Sequence, residues 1–512
     1  MVRRHLVTRG SFYERLADHG HEIVADEDFA GLYPSGRGRP SVPPSVMVRA
    51  LLCATHDRTS DRETSRRSRV DADWKAAMGV DDDFGGIGAT TFSLMRARML
   101  AHDADARLFE ATLTKAVAAG VFKGPLTAII DSSPVHGAGA VADTYELIRK
   151  VMGRVARAAG DRLSEETGRA ALELAEAKPD IDWQDPVARR AHLRQLVDAA
   201  VELLAEAAAC DAEGDSAVAD AVDLLAQVID QDVEMTDDGP AIHHGVAQDR
   251  VPSHSDPEMR HGRKSQTRRF DGHKLDVITD EDSELILGVD VRAGNAADGE
   301  GAAPLLGQVQ DVDGVEVENL LGDMAYSDGD VREAVEEQGA ELVAKVPPVT
   351  NSGRFPKTAF HIVLDPDPAR PGLFTGTVTC PAGNTTSDAR PTRDHKRRPA
   401  TEFVFGPQVC AACPLKDQCT TSRRGRKITV GRHEPRIAAA RAAQAQPETR
   451  ALLRRRSKVE RKIDHLQDLG MRQARYRGRR RTRLQALLAA TVANFKRLAV
   501  IGAFTAGPAA AS

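Results

Sequence analysis

Two short apolar runs, LTAIID at 126–131 and VENLLGD at 317–323, each close on an aspartate. Runs of this length, rich in β-branched and aliphatic residues and bounded by polar ones, have the form of buried strands. A sheet that uses both must be assembled from segments far apart in the chain, with a carboxylate at the end of each strand. Between them, HKLDVITD and LILGVDVRAGN flank the polar turn EDSE, which predicts a hairpin over 273–295. A helix over 298–311, a helix over 328–338 and the strand AELVAKV at 340–346 complete the series. The order strand, hairpin, helix, strand, helix, strand predicts an α/β fold, a mixed sheet flanked by helices. Sites in such sheets gather at strand ends.

At 512 residues the chain exceeds what one core organises, so two or three folded units are expected. Residues 11–120 show helical periodicity broken by the turns PSGRGRPSVPPS and DDDFGGIG, which predicts an N-terminal helical domain over 1–120. Residues 145–235 are helical and acidic; strand signals resume only afterwards, so the stretch reads as an insertion bounded at 145–250. Residues 351–445 have little periodicity and hold four of the six cysteines, a second insertion. Helical pattern returns over 448–500 in two pieces separated by RYRGRRR, and the Ala-rich tail at 506–512 is expected to fray. The sheet domain is then made of 121–350 and 446–505.

Aromatic residues make up 4% of the chain and charged ones 28%, which suits a soluble protein. No run of 18 apolar residues exists to span a bilayer, and MVRRHLVTRG lacks the apolar core of a secretion signal. The expected location is the cytoplasm. The net charge of −5 hides a segregation: residues 151–250 carry 9 basic against 22 acidic residues, and 420–483 carry 21 against 5. A surface of one sign attracts its opposite, so the second segment is a candidate DNA contact. Arg456, Arg472, Arg475, Arg477, Arg479, Arg480 and Arg481 are its candidate phosphate ligands, because a guanidinium pairs with phosphate through two hydrogen bonds. The bland alternative is a solvated helix face. The stretch PEMRHGRKSQTRRF at 257–270 reads equally as a phosphate track or a flexible basic loop.

Phosphodiester transfer uses a pair of hard divalent cations, one at the attacking oxygen and one at the leaving oxygen, and carboxylates hold such ions. Asp131 and Asp323 end predicted strands, and Glu460 lies on the helical stretch RRRSKVERKIDHL. Taken singly, each aspartate reads first as a turn or cap residue. Resemblance supplies what spacing does not. AIIDSSPVHGAGAVADT resembles the first catalytic strand of insertion-sequence transposases in the RNase H-like superfamily, and LLGDMAYSDGDVR the second. RFDGHKLDVITDEDSELILGVDVRAGNAADG resembles the intervening hairpin, and RRRSKVERKIDHLQDLGMRQARYRG the glutamate helix, with Asn494 in the last helix. The N-terminal PSGRGRPSVPPSVMVRALL and SDRET are similar to the helical region of the insertion sequence eleven-eighty-two group.

The resemblance implies an RNase H-like sheet in which Asp131, Asp323 and Glu460 are catalytic and bind two Mg²⁺ (or Mn²⁺) ions. It further implies cleavage and strand transfer at terminal inverted repeats, target DNA as a second substrate, and a homodimer or larger assembly on DNA, in a bacterial, nucleoid-associated setting. Relatives carry Tyr, Arg, Glu and Lys at fixed offsets in the glutamate helix. Here Arg456 fits, but Leu453 and Gln467 stand at the Tyr and Lys places, and Asp464 is a rival to Glu460. A catalytically inactive DNA-binding regulator and a cellular RNase H-like nuclease are the alternative functions.

Cys410 and Cys413 form a CxxC pair, with Cys419 after and Cys380 before, a set able to close a tetrahedral Zn²⁺ shell; unligated core cysteines are the alternative. Cys53 and Cys210 sit in helical stretches and read as core. His136, after Pro134 and Val135, is expected in a loop, as are His243 and His244, and none is assigned a metal.

Overall fold

The computed structural model describes residues 5, 7–33, 41–210, 216–265 and 267–504; the tail at 506–512 and residues 34–40 of the first turn lie outside them. The N-terminal unit comprises α1 (Phe12–His19), α2 (Pro44–Asp57), α3 (Asp61–Val70), α4 (Ala72–Met78), α5 (Ala89–Ala101) and α6 (Ala104–Ala118). Its boundaries follow from capping chemistry. Proline at the first turn of α2 gives up an N–H that would be unsatisfied there anyway. Ser60 caps α3 by accepting from the Glu63 N–H, and Asp71 caps α4 by accepting from the Trp74 N–H.

The central sheet begins with β1 (Leu126–His136). The helical insertion follows as α7 (Thr144–Ala159), α8 (Glu165–Glu176), α9 (Pro186–Cys210) and α10 (Ser216–Asp232), closed by the hairpin β2 (Val233–Thr236) and β3 (Gly239–Ile242). It has its own core around Leu147, Val151, Leu196 and Leu225. The chain then returns to the sheet with β4 (Arg260–Arg263), β5 (Arg269–Asp280), β6 (Ile286–Ala293), α11 (Ala302–Gln310), β7 (Val317–Gly322), α12 (Gly329–Glu337) and β8 (Glu341–Ala344).

β5 pairs antiparallel with β1 from Ala128↔Asp280 to His136↔Gly272, and along its other edge with β4 and then β6. On the far side of β1, β7 and then β8 pair in parallel, so the order is β6-β5-β1-β7-β8 with β4 beside β5. Gly272 is required where β5 passes the end of β1, because a Cβ there would lie 2.2 Å from the Val135 carbonyl oxygen. α17 (Lys458–Leu466) packs on β1 and β5, and α18 (Arg479–Val500) on β6, α2 and α6. One continuous buried cluster joins Leu16, Trp74 and Phe92 of the N-terminal helices to Ile129, Val277 and Leu320 of the sheet and Phe495 of α18.

The predicted hairpin, the 328–338 helix and the strand ending before Asp323 correspond to β5–β6, α12 and β7. Three expectations change. β1 continues five residues past Asp131, so that aspartate lies inside the strand and His136 is its exposed last residue rather than part of a loop. The continuation is tolerated because β7 pairs only as far as Ile129, leaving Pro134 at most one ladder to interrupt. Residues 351–445, expected to be loop-rich, form two three-stranded sheets. These are β9 (His361–Pro366), β10 (Phe374–Thr379) and β11 (Thr385–Thr386), then β12 (Ala389–Arg393), β13 (Pro399–Val404) and β14 (Lys427–Gly431). Phe360, Phe374, Phe403 and Ile428 fill their core. The strands are too short, and too often interrupted by Gly and Pro, for periodicity to register. The short helices α13 (Pro407–Ala411) and α14 (Lys416–Cys419) precede β14, and α15 (Glu434–Ala443) and α16 (Pro447–Arg455) lead to α17. Finally, Arg479, Arg480 and Arg481 open α18 rather than separating two helices.

Candidate active site

Asp131 stands two residues beyond the last β1–β7 pair, Ile129↔Leu321, and Asp323 follows directly on the end of β7. Both carboxylates therefore emerge where adjacent parallel strands part. The Asp131 side chain is 20% exposed, and its Oδ1 accepts from the Ser132 N–H at 2.8 Å. Burial pushes its carboxyl up to about 6, and the nearby Asp323 and Asp298 charges act in the same direction against the Ser132 N–H and Arg456. Asp323 accepts from the Ala325 N–H at 2.8 Å and so caps the single turn Met324–Tyr326.

The third acid arrives on α17, whose buried Val459, Ile463 and Leu466 recur at helical spacing and lay the helix against β1 and β5. The Arg456 guanidinium links the groups, 3.4 Å from Asp131 Oδ2 and 3.3 Å from Glu460 Oε1. Farther along, Gln467 donates to Ser133 Oγ at 3.0 Å, so Glu460 is level with Asp131 and Gln467 with the next residues of β1. Asp464 is exposed, with no contact to Arg456 or Asp131 among the described residues.

Several residues around this cluster escaped the sequence reading. Asp298 Oδ1 accepts from Ser132 Oγ and from Lys274 Nζ, each at 2.7 Å. Burial would raise its carboxyl, but Lys274 and Ser132 prevail and hold it below the usual range. Asp276, paired with Arg292, is pushed up to about 6 by burial. The Tyr326 ring is fully buried, and its hydroxyl has no hydrogen-bond partner among the described residues; burial and the Asp276, Asp298, Asp131 and Asp323 charges hold its proton on. The signal for Asp298 and Tyr326 was present in GNAADG and DMAY, but nothing in one sequence distinguishes a supporting acid from a turn residue.

The arginines divide. Arg475 pairs with Asp61 at 2.9 Å, Arg479 with Glu258 at 3.1 Å, and Arg480 with Asp103 and Asp105 at 2.7 Å each. Arg472, Arg477 and Arg481 are exposed, without a carboxylate partner among the described residues. In the 257–270 stretch, Arg263, Lys264, Arg268 and Arg269 are exposed along the β4–β5 hairpin. His243 and His244 lie exposed just past β3.

Cys380, Cys410, Cys413 and Cys419 are free, half-buried thiols. Cys380, Cys410 and Cys419 pack against the core of the small sheets, and the Cys410 sulfur accepts from the Arg426 N–H at 3.4 Å. The Cys419 thiol is raised by burial, and the Cys410, Cys380 and Cys413 sulfurs add to the rise. Cys53 is buried in α2; the Cys210 side chain is outside the described residues.

Among the described residues, Asp330, Glu333 and His433 bring their ligand atoms within 4.8 Å of one another, a spacing met neither by any three of the four thiols nor by Asp131, Asp323 and Glu460. This group joins α12 to the start of α15 and is ringed by guanidiniums. Arg432 lies 3.0 Å from Asp330 and 2.7 Å from Glu333, Arg436 lies 3.1 Å from Glu333, and Arg398 also pairs with Asp330.

Comparison with known families bears on these residues. The family described as Transposase DDE domain matches residues 379–499, a stretch holding the four clustered cysteines and Glu460. The family described as Transposase domain (DUF772) matches residues 1–98, the N-terminal helices as far as α5. Asp131 and Asp323 fall between the two stretches. No curated protein and no solved structure matches the chain. The two family matches together support a DDE transposase of an insertion sequence.

Proposed function

We propose that this chain binds the terminal inverted repeats of its own insertion element, in the eleven-eighty-two group, cuts the phosphodiester at each end and joins the freed 3′-hydroxyl to target DNA. Asp131, Asp323 and Glu460 are the catalytic acids and hold two Mg²⁺ (or Mn²⁺) ions. The observation that supports this is that Asp131 and Asp323 both lie just past the paired stretch of β1 and β7, with Arg456 bridging Asp131 to the helix-borne Glu460. The strand order β6-β5-β1-β7-β8, three antiparallel and two parallel, favours an RNase H-like catalytic domain. That domain would be built from 121–350 and 446–505, beside an N-terminal helical domain at 1–120, the insertion at 145–250 and the cysteine module at 351–445.

The donor set fits hard cations: it is all carboxylate oxygen, and Asp131 is raised chiefly by burial, with the Asp323 and Asp298 charges adding to it. When bound, such ions would activate the attacking oxygen and stabilise the leaving one. The chain's own contribution is to fix the carboxylates, with the Ser132 and Ala325 N–H groups setting the two aspartates. Arg456 can turn from the acids to a DNA phosphate. The residue types of Cys380, Cys410, Cys413 and Cys419, with an N–H donated to the Cys410 sulfur, support assigning them a structural Zn²⁺, which elemental analysis of wild type against Cys413→Ser tests directly. Work on DNA implies a cytoplasmic, nucleoid-bound protein and at least two protomers per pair of ends.

Asp131→Asn and Asp323→Asn keep size and remove the anionic ligand. Each should abolish cleavage of a terminal-repeat duplex while leaving its binding within about threefold. Cleavage above about a tenth of the wild-type rate in either variant sinks the assignment. Nicked but never joined products from the wild type would point instead to a nuclease, and binding without cleavage to an inactive regulator.

A further inference from the structure

The paired arginines hold the 472–481 segment against helix α5. Arg475 reaches Asp61 and the Thr59 carbonyl, and Asp61 also accepts from Ser93 Oγ at 3.2 Å and from Arg96. The Arg96 guanidinium in turn lies 5.3 Å from the Tyr476 ring centre. Arg480 fastens α18 to the start of α6 through Asp103, its cap, and Asp105 in its first turn. These contacts balance part of the segment's charge and leave Arg472, Arg477 and Arg481 facing solvent.

Helix α5 turns Phe92, Met95, Arg96 and Met99 inward and exposes Thr90, Ser93, Leu94 and Ala97, with Leu94 51% exposed. The outward side chains are short and uncharged. Ser93 and Ala97 share with Tyr476 and Arg481 a cleft of ≈ 470 Å³, so part of the exposed face and one of the free cations, Arg481, lie on one surface. Arg62, exposed beside Asp61 on α3, adds to it.

We propose that this face of α5 reads duplex DNA, with Arg62, Arg472, Arg477 and Arg481 on the flanking phosphates. The partner class rests on the transposase reading; the surface does not follow from it. A helix of 13 residues is about 20 Å long, and a major groove about 12 Å wide admits one. Short side chains let the helix approach, Thr90 can exchange hydrogen bonds with a base edge, and Leu94 suits a thymine methyl. None of the outward residues of α5 is aromatic, and the Tyr476 ring in the cleft is already engaged by the Arg96 and Arg475 guanidiniums, so duplex DNA suits the surface better than unpaired bases. Exposed Asp82 and Asp83 in the loop before α5 disfavour phosphates on that side. Because the same chain segment runs back to Glu460, DNA read by α5 is held in fixed register with the acid cluster.

The test selects labelled 30-base-pair duplexes from a random pool with full-length protein, then titrates selected and random duplexes by fluorescence anisotropy over a range of KCl. Leu94→Ala and Ala97→Leu change shape without charge; with melting temperatures unchanged, each should weaken the selected duplex about tenfold and leave random duplex within about twofold. Arg477→Ala with Arg481→Ala should weaken both alike and reduce the log–log salt slope by about 1.8. Selected and random duplexes bound equally by wild type, or full affinity for the selected duplex in both α5 variants, overturns the surface while leaving the transposase reading intact. A wild type that binds no duplex overturns both.

Discussion

Two groups of acids in this molecule look alike on paper and differ in what surrounds them. Asp330, Glu333 and His433 lie closer to metal-binding geometry, yet Arg398, Arg432 and Arg436 already balance their charge. Arg456 lies 3.4 Å from Asp131 and 3.3 Å from Glu460, Asp323 has no ion pair among the described residues, and Asp131 is raised chiefly by burial with the neighbouring acids adding to it. The first group joins the cysteine module to α12 and needs nothing more. The second is short of positive charge where two strands part. Proximity of ligand atoms is thus a weaker guide to an ion site than uncompensated charge.

The largest expected effect separates Glu460 from its rival on the same helix. Glu460→Gln should lower cleavage by about a hundredfold or more, whereas Asp464→Asn should stay within about twofold. The reverse pattern would move the third ligand to Asp464. Next in size is cation binding itself, read by the paramagnetic signal of Mn²⁺. Asp131→Asn should weaken it about tenfold, and Asp330→Asn should leave it unchanged. Equal losses in both would erase the distinction between the two groups.

Stability should move in opposite directions at the two places. The folded Asp131 carboxyl titrates at about 6 instead of the ordinary 3.8, so ionising it penalises the folded state. The stability tied to its proton is fully present below the ordinary carboxylate range and is lost as pH rises through about 6. Asn has no proton to lose. In chelator, Asp131→Asn should therefore melt above wild type at pH 8, by of order 2 kcal/mol, and the advantage should vanish near pH 4. The smallest effect belongs to Asp330→Asn, which removes charge-assisted bonds at a partly exposed network and should destabilise by about 1 kcal/mol. Calorimetry across that pH range decides both, and a destabilised Asp131→Asn at pH 8 would contradict the charge argument.

The central sheet was legible because its strands are continuous apolar or alternating runs: β5, β6 and β7 fall where HKLDVITD, LILGVDVRAGN and VENLLGD put them. The reach of β1 was not, since a Ser-Ser-Pro sequence signals a turn unless one knows that its parallel neighbour has already stopped. Strands of two to six residues hid β9–β14. Charge could be counted but not assigned: Arg480 and Arg481 are neighbours in sequence, yet one is paired with the buried Asp105 and the other faces solvent. The part played by Asp298 depends on Ser132 and Lys274, residues that only folding brings beside it.

The contact of Arg456 with Asp131 spans 325 positions of the chain. At synthesis rates of about 5–20 residues per second, that interval corresponds to roughly 15–65 s between the two residues leaving the ribosome's catalytic centre. Throughout it, a nascent chain holds β1 with its aspartate but lacks the helix that brings Glu460. That contact is therefore timed to form late, after the N-terminal helices and the insertion have been made.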